Sequence, residues 1–167
     1  MQSSLPRAPA HDVDPTQFRR ALSQFATGVT VVTTRDAEGH PVGLTANSFN
    51  SVSLDPPLVL WSLSARARSL QAFRAHSHFA VSVLGADQVE LARRFAGPHA
   101  DRFAGTAFRI GRGGVPVLEG AIAWFECRNR SRYDEGDHVI FVGEVEACGV
   151  CVKPPLLFHR GAFLESR

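Results

Sequence analysis

The sequence predicts a mainly β fold, a closed antiparallel barrel with short helices outside it, and three observations carry that expectation. About seven runs are rich in β-branched and aromatic residues, and most are joined by turn signals rather than by regular helical crossovers. The two longest runs, Ala121 to Arg130 and His138 to Cys148, alternate residues between two faces, so that Phe125 and Cys127 are expected inside and Trp124 and Glu126 outside.

The elements follow in order. Residues 1–13 hold two prolines, two serines and few large apolar groups, and are expected as a mobile arm; residues 14–167 are expected as one domain. Asp14-Pro15-Thr16-Gln17 supplies a capping carboxylate and a proline at the first helical position, while Phe18, Ala21, Leu22 and Phe25 recur at helical spacing. Gly28 is expected to end that helix as a left-handed cap. Val29 to Thr34 is a β-branched run, and the Asp36 to Gly39 turn predicts that Pro41 to Phe49 returns as its antiparallel partner. Asp55-Pro56-Pro57 breaks the chain before a short apolar strand from Leu58 to Leu63. A helix over residues 67–75, a buried strand over 79–84 and a helix over 88–95 capped by Asp87 come next. After a Gly-rich connection and the two long strands, Leu156 to Phe163 is expected as a final strand.

Composition narrows the function classes. Hydrophobic residues make up 44% and charged residues 20%, the balance of a packed globule rather than of a disordered or collagenous chain. A net charge of +2 gives no reason to expect a nucleic-acid or lipid-surface partner. Three cysteines without framework spacing fit a reduced compartment, and no run approaches the roughly 20 apolar residues of a membrane helix. A cytoplasmic protein is expected, with no membrane partner.

Two stretches carry candidate chemistry. Gly43 to Ser53 is dense in Gly and short hydrogen-bonding residues where the flanking pattern asks for a core strand, and buried polar groups are costly unless something fills their bonds. A heteroaromatic ring rimmed by carbonyls and ring nitrogens would fill them; an edge strand facing solvent is the other reading. Ser62-Leu63-Ser64-Ala65-Arg66-Ala67-Arg68-Ser69 combines hydroxyls, guanidinium groups and a helix start, which reads as a phosphate cradle or as a solvated cap. His138, after Gly136-Asp137, reads either as a group beside a ligand or as a strand-start histidine paired with its neighbour.

These stretches resemble the flavin reductase-like family, the small reductase components of two-component flavin monooxygenases. The resemblance runs from Phe25-Ala26-Thr27-Gly28 through Thr45-Ala46-Asn47-Ser48-Phe49, Ser51-Val52-Ser53 and Asp55-Pro56-Pro57-Leu58. It continues in Arg94-Phe95-Ala96-Gly97, Asp101-Arg102-Phe103, Gly136-Asp137-His138, Gly143-Glu144-Val145, Pro155-Leu156-Leu157-Phe158 and Arg160-Gly161, in order and over nearly all of the chain. It implies an FMN-binding split barrel, Greek-key-like, of about six to seven antiparallel strands, and a homodimer. It also implies reduction of FMN or FAD by NADH or NADPH, and delivery of reduced flavin to a monooxygenase. By the same resemblance Thr45, Ala46, Asn47, Ser48, Ser51, Val52 and Ser53 would line the flavin ring and ribityl chain, and Ser62, Arg68 and Ser69 would hold its phosphate. His138 would sit beside the nicotinamide, with Phe158, Arg160 and Gly161 closing the wall.

Hydride transfer between two cofactors asks the protein for stacking, positioning and stabilisation of charge at the flavin N1–C2 edge, so no nucleophilic triad is expected and no metal site either. Rival readings are a flavoprotein that reduces a corrin or ferric acceptor with bound flavin, and a non-catalytic flavin-binding protein. Cys148-Gly149-Val150-Cys151 has the spacing of a redox dithiol or half a zinc site, but Lys153-Pro154-Pro155 forbids the helix that a dithiol motif opens, which leaves a coincidence in a loop. Gly111-Arg112-Gly113-Gly114 lacks the strand and helix of a dinucleotide fingerprint and is expected as a flexible connection. Asp101-Arg102-Phe103 reads either as a cover over the mouth of the active site or, at Asp101 and Arg102, as a surface pair, and Phe95, Phe103, Phe108 and Phe125 are expected as core.

Overall fold

A computed structural model gives the fold and describes residues 13–98 and 101–164, so the expected mobile arm lies outside the described residues except for Val13. The chain runs α1 (Pro15–Leu22), β1 (Thr27–Gly28), β2 (Thr30–Arg35), β3 (Pro41–Ala46), β4 (Asn50–Leu54), β5 (Pro57–Ser64), α2 (Leu70–Ala75) and β6 (His78–Val83). Then follow α3 (Val89–Ala96), β7 (Phe108–Ile110), β8 (Pro116–Leu118), β9 (Ala123–Glu135), β10 (His138–Val150), β11 (Leu157–His159) and β12 (Ala162–Leu164). No described helix is long and apolar enough to cross a membrane.

Seven strands form the main sheet in the order β3-β2-β6-β9-β10-β5-β4, with antiparallel pairing throughout. Its two edge strands, β3 and β4, are consecutive in the chain and separated only by Asn47, Ser48 and Phe49. A flat sheet would hold its outer strands roughly 29 Å apart, six spacings of about 4.8 Å. The link from Ala46 to Asn50 spans at most about 14 Å. The sheet must therefore coil until its edges approach one another. Among the described residues no ladder joins β3 to β4 or β5, so the edges of the coil meet at a seam.

Two apolar clusters lie on either side of β2, which is why its residues are buried on both faces and its sequence does not alternate. Inside the coil, Trp61 stacks on Phe141 at 4.9 Å between ring centres and meets Phe73 edge-on at 4.8 Å. Outside it, Val31, Leu84, Phe103 and Leu156 pack with Ala92 and Phe95 of α3. The threonines of β2 reach backbone carbonyls: Thr30 Oγ1 donates to Ala46 O at 2.7 Å and Thr34 Oγ1 to His78 O at 2.9 Å. Gly143 is required by packing, since a Cβ there would lie 2.5 Å from Phe79 Cζ.

Several local expectations are corrected. The first helix ends at Leu22 with Ser23 as its cap, and Gly28 lies in β1 without a left-handed conformation. None of the residues of α1 is buried, so the Phe18 and Leu22 stripe has no partner within the described chain. Asp87 lies inside a 3-10 turn that precedes α3 and pairs with Lys153 at 3.7 Å rather than capping the helix. The Gly-rich connection is the turn of a hairpin, β7 with β8, in which Gly113 and Gly114 take φ of 63° and 77°. This hairpin covers β9, so Glu126 faces protein rather than water and is 4% exposed. The final segment is likewise a hairpin, β11 with β12, turned by Arg160 and Gly161. Asp101 accepts from the Phe103 and Ala104 N–H groups, and Arg102 donates to Gly43 O and Gly97 O; the two do not pair.

Candidate active site

The seam is where the polar run of the sequence comes to lie. Continuing the β4–β5 register from Asn50↔Leu60 places Ser48 opposite Ser62. There the Ser48 side chain takes over from the backbone ladder: its Oγ accepts from Ser62 N at 2.9 Å and donates to Ser62 O at 3.2 Å. Thr45 Oγ1 donates to Ala92 O at 2.6 Å, which ties β3 to α3. Two of the hydroxyls are thus satisfied inside the chain. What stays open is the outer edge of β3, whose alternate N–H and C=O groups have no ladder partner, together with the exposed Asn47 amide.

A cavity of about 490 Å³ occupies this seam, walled by Leu44 to Ser48, by Ser62 to Ser64, and by Glu135, His138 and Ile140. His138 and Glu135 stand opposite each other across the β9–β10 turn, and His138 is also the register partner of Ser64. Its Nδ1 lies 2.7 Å from Asp137 Oδ1. The His138 hydrogen bond, then its charge, holds the Asp137 carboxyl below its ordinary range. An ionised carboxylate only accepts, so Nδ1 carries the proton and Nε2 remains for another contact.

A second cavity, about 1030 Å³, adjoins the first through Leu44, Thr45 and Leu63 and contains Arg68 and Ser69 in its wall. Ser69 is the residue before α2 and makes no capping bond with its side chain.

The structure therefore brings Thr45, Ala46, Asn47, Ser48, Ser62 and His138 to one cavity, and Arg68 and Ser69 to its neighbour. Ser51, Val52 and Ser53 lie on β4 and line neither cavity; Phe158 packs on Phe163 in the outer cluster, and Arg160 and Gly161 form the terminal turn, also away from both. Glu135 and Ile140 line the first cavity without having been expected there, whereas Leu63 belongs to the Ser62–Ser69 stretch and Arg102, in the wall of the second, to the segment read as a cover over the mouth of the site. The Gly136-Asp137-His138 turn was the only available signal for Glu135, which immediately precedes it.

Cys148 lies in β10, and Cys151 continues the extended chain by donating its N–H to Ile122 O at 2.7 Å. Three extended residues separate their Cα atoms by roughly 10 Å, beyond disulfide reach. Both thiols are exposed and free, whereas Cys127 is buried and its thiol is pushed up to about 12, by desolvation first and then by nearby Glu146.

The flavin reductase like domain model matches residues 22–166. The chain belongs to the flavin reductase like domain family. It is 49% identical over 146 residues to the FMN reductase (NADH) SmoA of Agrobacterium fabrum, a match covering 87% of this chain and 83% of that protein. The solved Streptomyces globisporus NADH:FAD oxidoreductase SgcE6, in complex with NAD and FAD fragments, superposes with a TM-score of 0.86 at 42% identity, covering 95% of this chain and 98% of that one. A Rhizobium meliloti relative is 44% identical over 154 residues and 92% of this chain, but the match spans only 50% of that relative's length. This family membership and the mainly β architecture with peripheral helices agree with the expected fold class.

Proposed function

We propose that this chain is an NAD(P)H:flavin oxidoreductase that reduces free FMN or FAD and passes reduced flavin to a separate monooxygenase. The observation that carries the reading is the seam cavity, where an unpaired strand edge and the Asn47 amide face Leu63 and Ile140 with His138 at the rim. Those groups fit an isoalloxazine: apolar walls suit a flat ring, and main-chain donors and acceptors suit its carbonyl and nitrogen edge.

When bound, the flavin would supply N5 as hydride acceptor and the nicotinamide C4 as donor. The chain's own part is positional. The β3 edge and Asn47 orient the ring by hydrogen bonds, and Leu44, Leu63 and Ile140 exclude water from its faces. Asp137 orients the His138 imidazole through Nδ1, which leaves Nε2 for a hydrogen bond with a nicotinamide amide. Ser62, Arg68 and Ser69 provide for the flavin phosphate.

The reading includes a homodimer in the cytoplasm. The uncovered Phe18, Leu22 and Phe25 side chains, 54%, 58% and 78% exposed, support a second copy as the missing cover, and three free thiols support a reducing compartment. SmoA and SgcE6 bear names that pair NADH with FMN and FAD, and the Mycobacterium tuberculosis relative HsaB, 42% identical, is named a reductase subunit of a flavin-dependent monooxygenase.

The test is NADH and NADPH oxidation by purified protein with and without added FMN or FAD. Oxidation that depends on free flavin is expected. Oxidation only with a ferric or corrin acceptor, or flavin binding without oxidation, overturns the reading. Light scattering checks the dimer.

A further inference from the structure

Arg68 and Ser69 are the least secured of the groups assigned above to the flavin. Ser69 makes no capping bond with its side chain, and Arg68 enters none of the ion pairs among the described residues. The helix that follows them, α2, has six residues and is too short to hold itself by propensity. Leu70 and Phe73 seat it on the core, with Phe73 edge-on to Trp61, but that leaves the carbonyls of its last turn open.

Those carbonyls are held by β9. β6 pairs with β9 as far as His78↔Arg128, and past that point the exit of α2 takes the place of a strand beside it. Asn129 N donates to Ser77 O at 2.8 Å, and Asn129 Nδ2 donates to Phe73 O at 2.7 Å and to His76 O at 3.2 Å. Arg132 Nη1 donates to Arg74 O, where a cation also suits the negative end of the helix, and the Arg74 guanidinium pairs with Asp134. At the other end of the segment, Ala65 N donates to Asp137 O at 2.9 Å. The same β9–β10 hairpin that brings His138 to the seam therefore grips residues 65–76 at both ends.

We infer that Asn129 and Arg132 are positioning residues for the flavin phosphate: they hold the carbonyl end of α2 and so fix where the Arg68 and Ser69 side chains stand relative to the ring. The inference rests on the phosphate assignment proposed above. A six-residue helix is roughly 9 Å long, so a tilt of about 6° at the clamp moves its first residue by roughly 1 Å, enough to spoil hydrogen bonds to a phosphate. Both side-chain partners of Asn129 are carbonyl oxygens, which only a donor can satisfy, while its own Oδ1 is buried without a partner. A buried acceptor left over is destabilising, so the geometry that this amide secures explains it better than stability does.

FMN and riboflavin, which differ only by the phosphate, are titrated into the full chain and followed by flavin fluorescence. The wild type is expected to bind FMN about tenfold tighter than riboflavin. Asn129→Asp keeps the shape but cannot donate, and Arg132→Met keeps most of the length without the donor. Each is expected to lower the ratio about threefold or more while riboflavin affinity stays within about twofold, whereas Arg132→Lys, which can still donate to Arg74 O, keeps it. Arg132 is exposed, so its two variants decide the matter even where Asn129→Asp does not fold. A role in stability alone would lower Tm and leave the ratio intact. An unchanged ratio in the folded variants, or equal weakening of both flavins, overturns the inference while leaving the phosphate assignment standing. A wild type with no preference for FMN overturns the phosphate assignment itself, and the positioning role with it.

Discussion

On the outer face of β9, the Glu126 carboxylate sits among apolar residues with its side chain 5% exposed, and the chain fills its bonds: Arg112 N lies at 2.7 Å and the Arg109 guanidinium at 2.7 Å. Arg109 in turn lies over the Trp124 ring at 4.3 Å. At the seam, Asn47, the β3 edge and the free side of His138 also stand beside apolar residues, and there the chain leaves bonding capacity over. Both regions would look equally polar to a composition count. The difference teaches that a polar group in apolar surroundings marks a binding site only when the fold has not already supplied its partner.

The comparison breaks most visibly at Glu126. Glu126→Ala leaves the Arg112 N–H and Arg109 without their acceptor and is expected to cost about 3 kcal/mol, a fall of roughly 6–12 °C in Tm, with little change in flavin affinity per folded molecule. Desolvation raises this carboxyl, but the Arg112 N–H and the Arg109 hydrogen bond and charge hold it below its ordinary 4.5. A lowered folded-state value means that the stabilisation is present above about pH 4.5 and is lost as the pH falls through that lower value. The Tm difference between wild type and Glu126→Gln should therefore shrink in acid; a constant difference from pH 7 to pH 3 would contradict the assignment.

At the seam the expectation reverses: function changes and stability does not. His138→Ala should lower kcat/KM for the nicotinamide substrate about 10- to 100-fold while flavin binding persists, and unaltered steady-state kinetics would make its Asp137 contact purely structural. Arg68→Ala should weaken FMN about tenfold and riboflavin hardly at all, and equal losses in a pair of titrations would remove Arg68 from the phosphate. Asn47→Ala should weaken flavin several-fold at unchanged Tm, since one neutral hydrogen bond is worth about 1 kcal/mol.

Much of the frame was legible in the sequence because strong local signals coincide with long elements. The β-branched run before Asp36 and the turn at Gly39 gave the β2–β3 hairpin, and Asp55-Pro56-Pro57 marked the entry to β5. The β7–β8 hairpin escaped because three-residue strands around glycines carry no period, and with it went the burial of Glu126, which β9's own alternation assigns to solvent. The same limit applies at the site. Thr45 to Ser48 stood out by residue type, but their meeting with Ser62 and His138 follows from the curl of the whole sheet, and nothing local distinguishes them from Ser51 to Ser53, which the bulge-bearing β4 carries elsewhere.

Asn47, Ser48 and Phe49 also act as a ruler. Because this short bridge is the only covalent tie between the outermost strands, its length sets how far the coil can open, independently of any side chain that touches a ligand. Lengthening it by two glycines should widen the gap and loosen ring binding while every contacting residue keeps its identity, so that in this molecule the number of residues in a connection is itself a determinant of what fits.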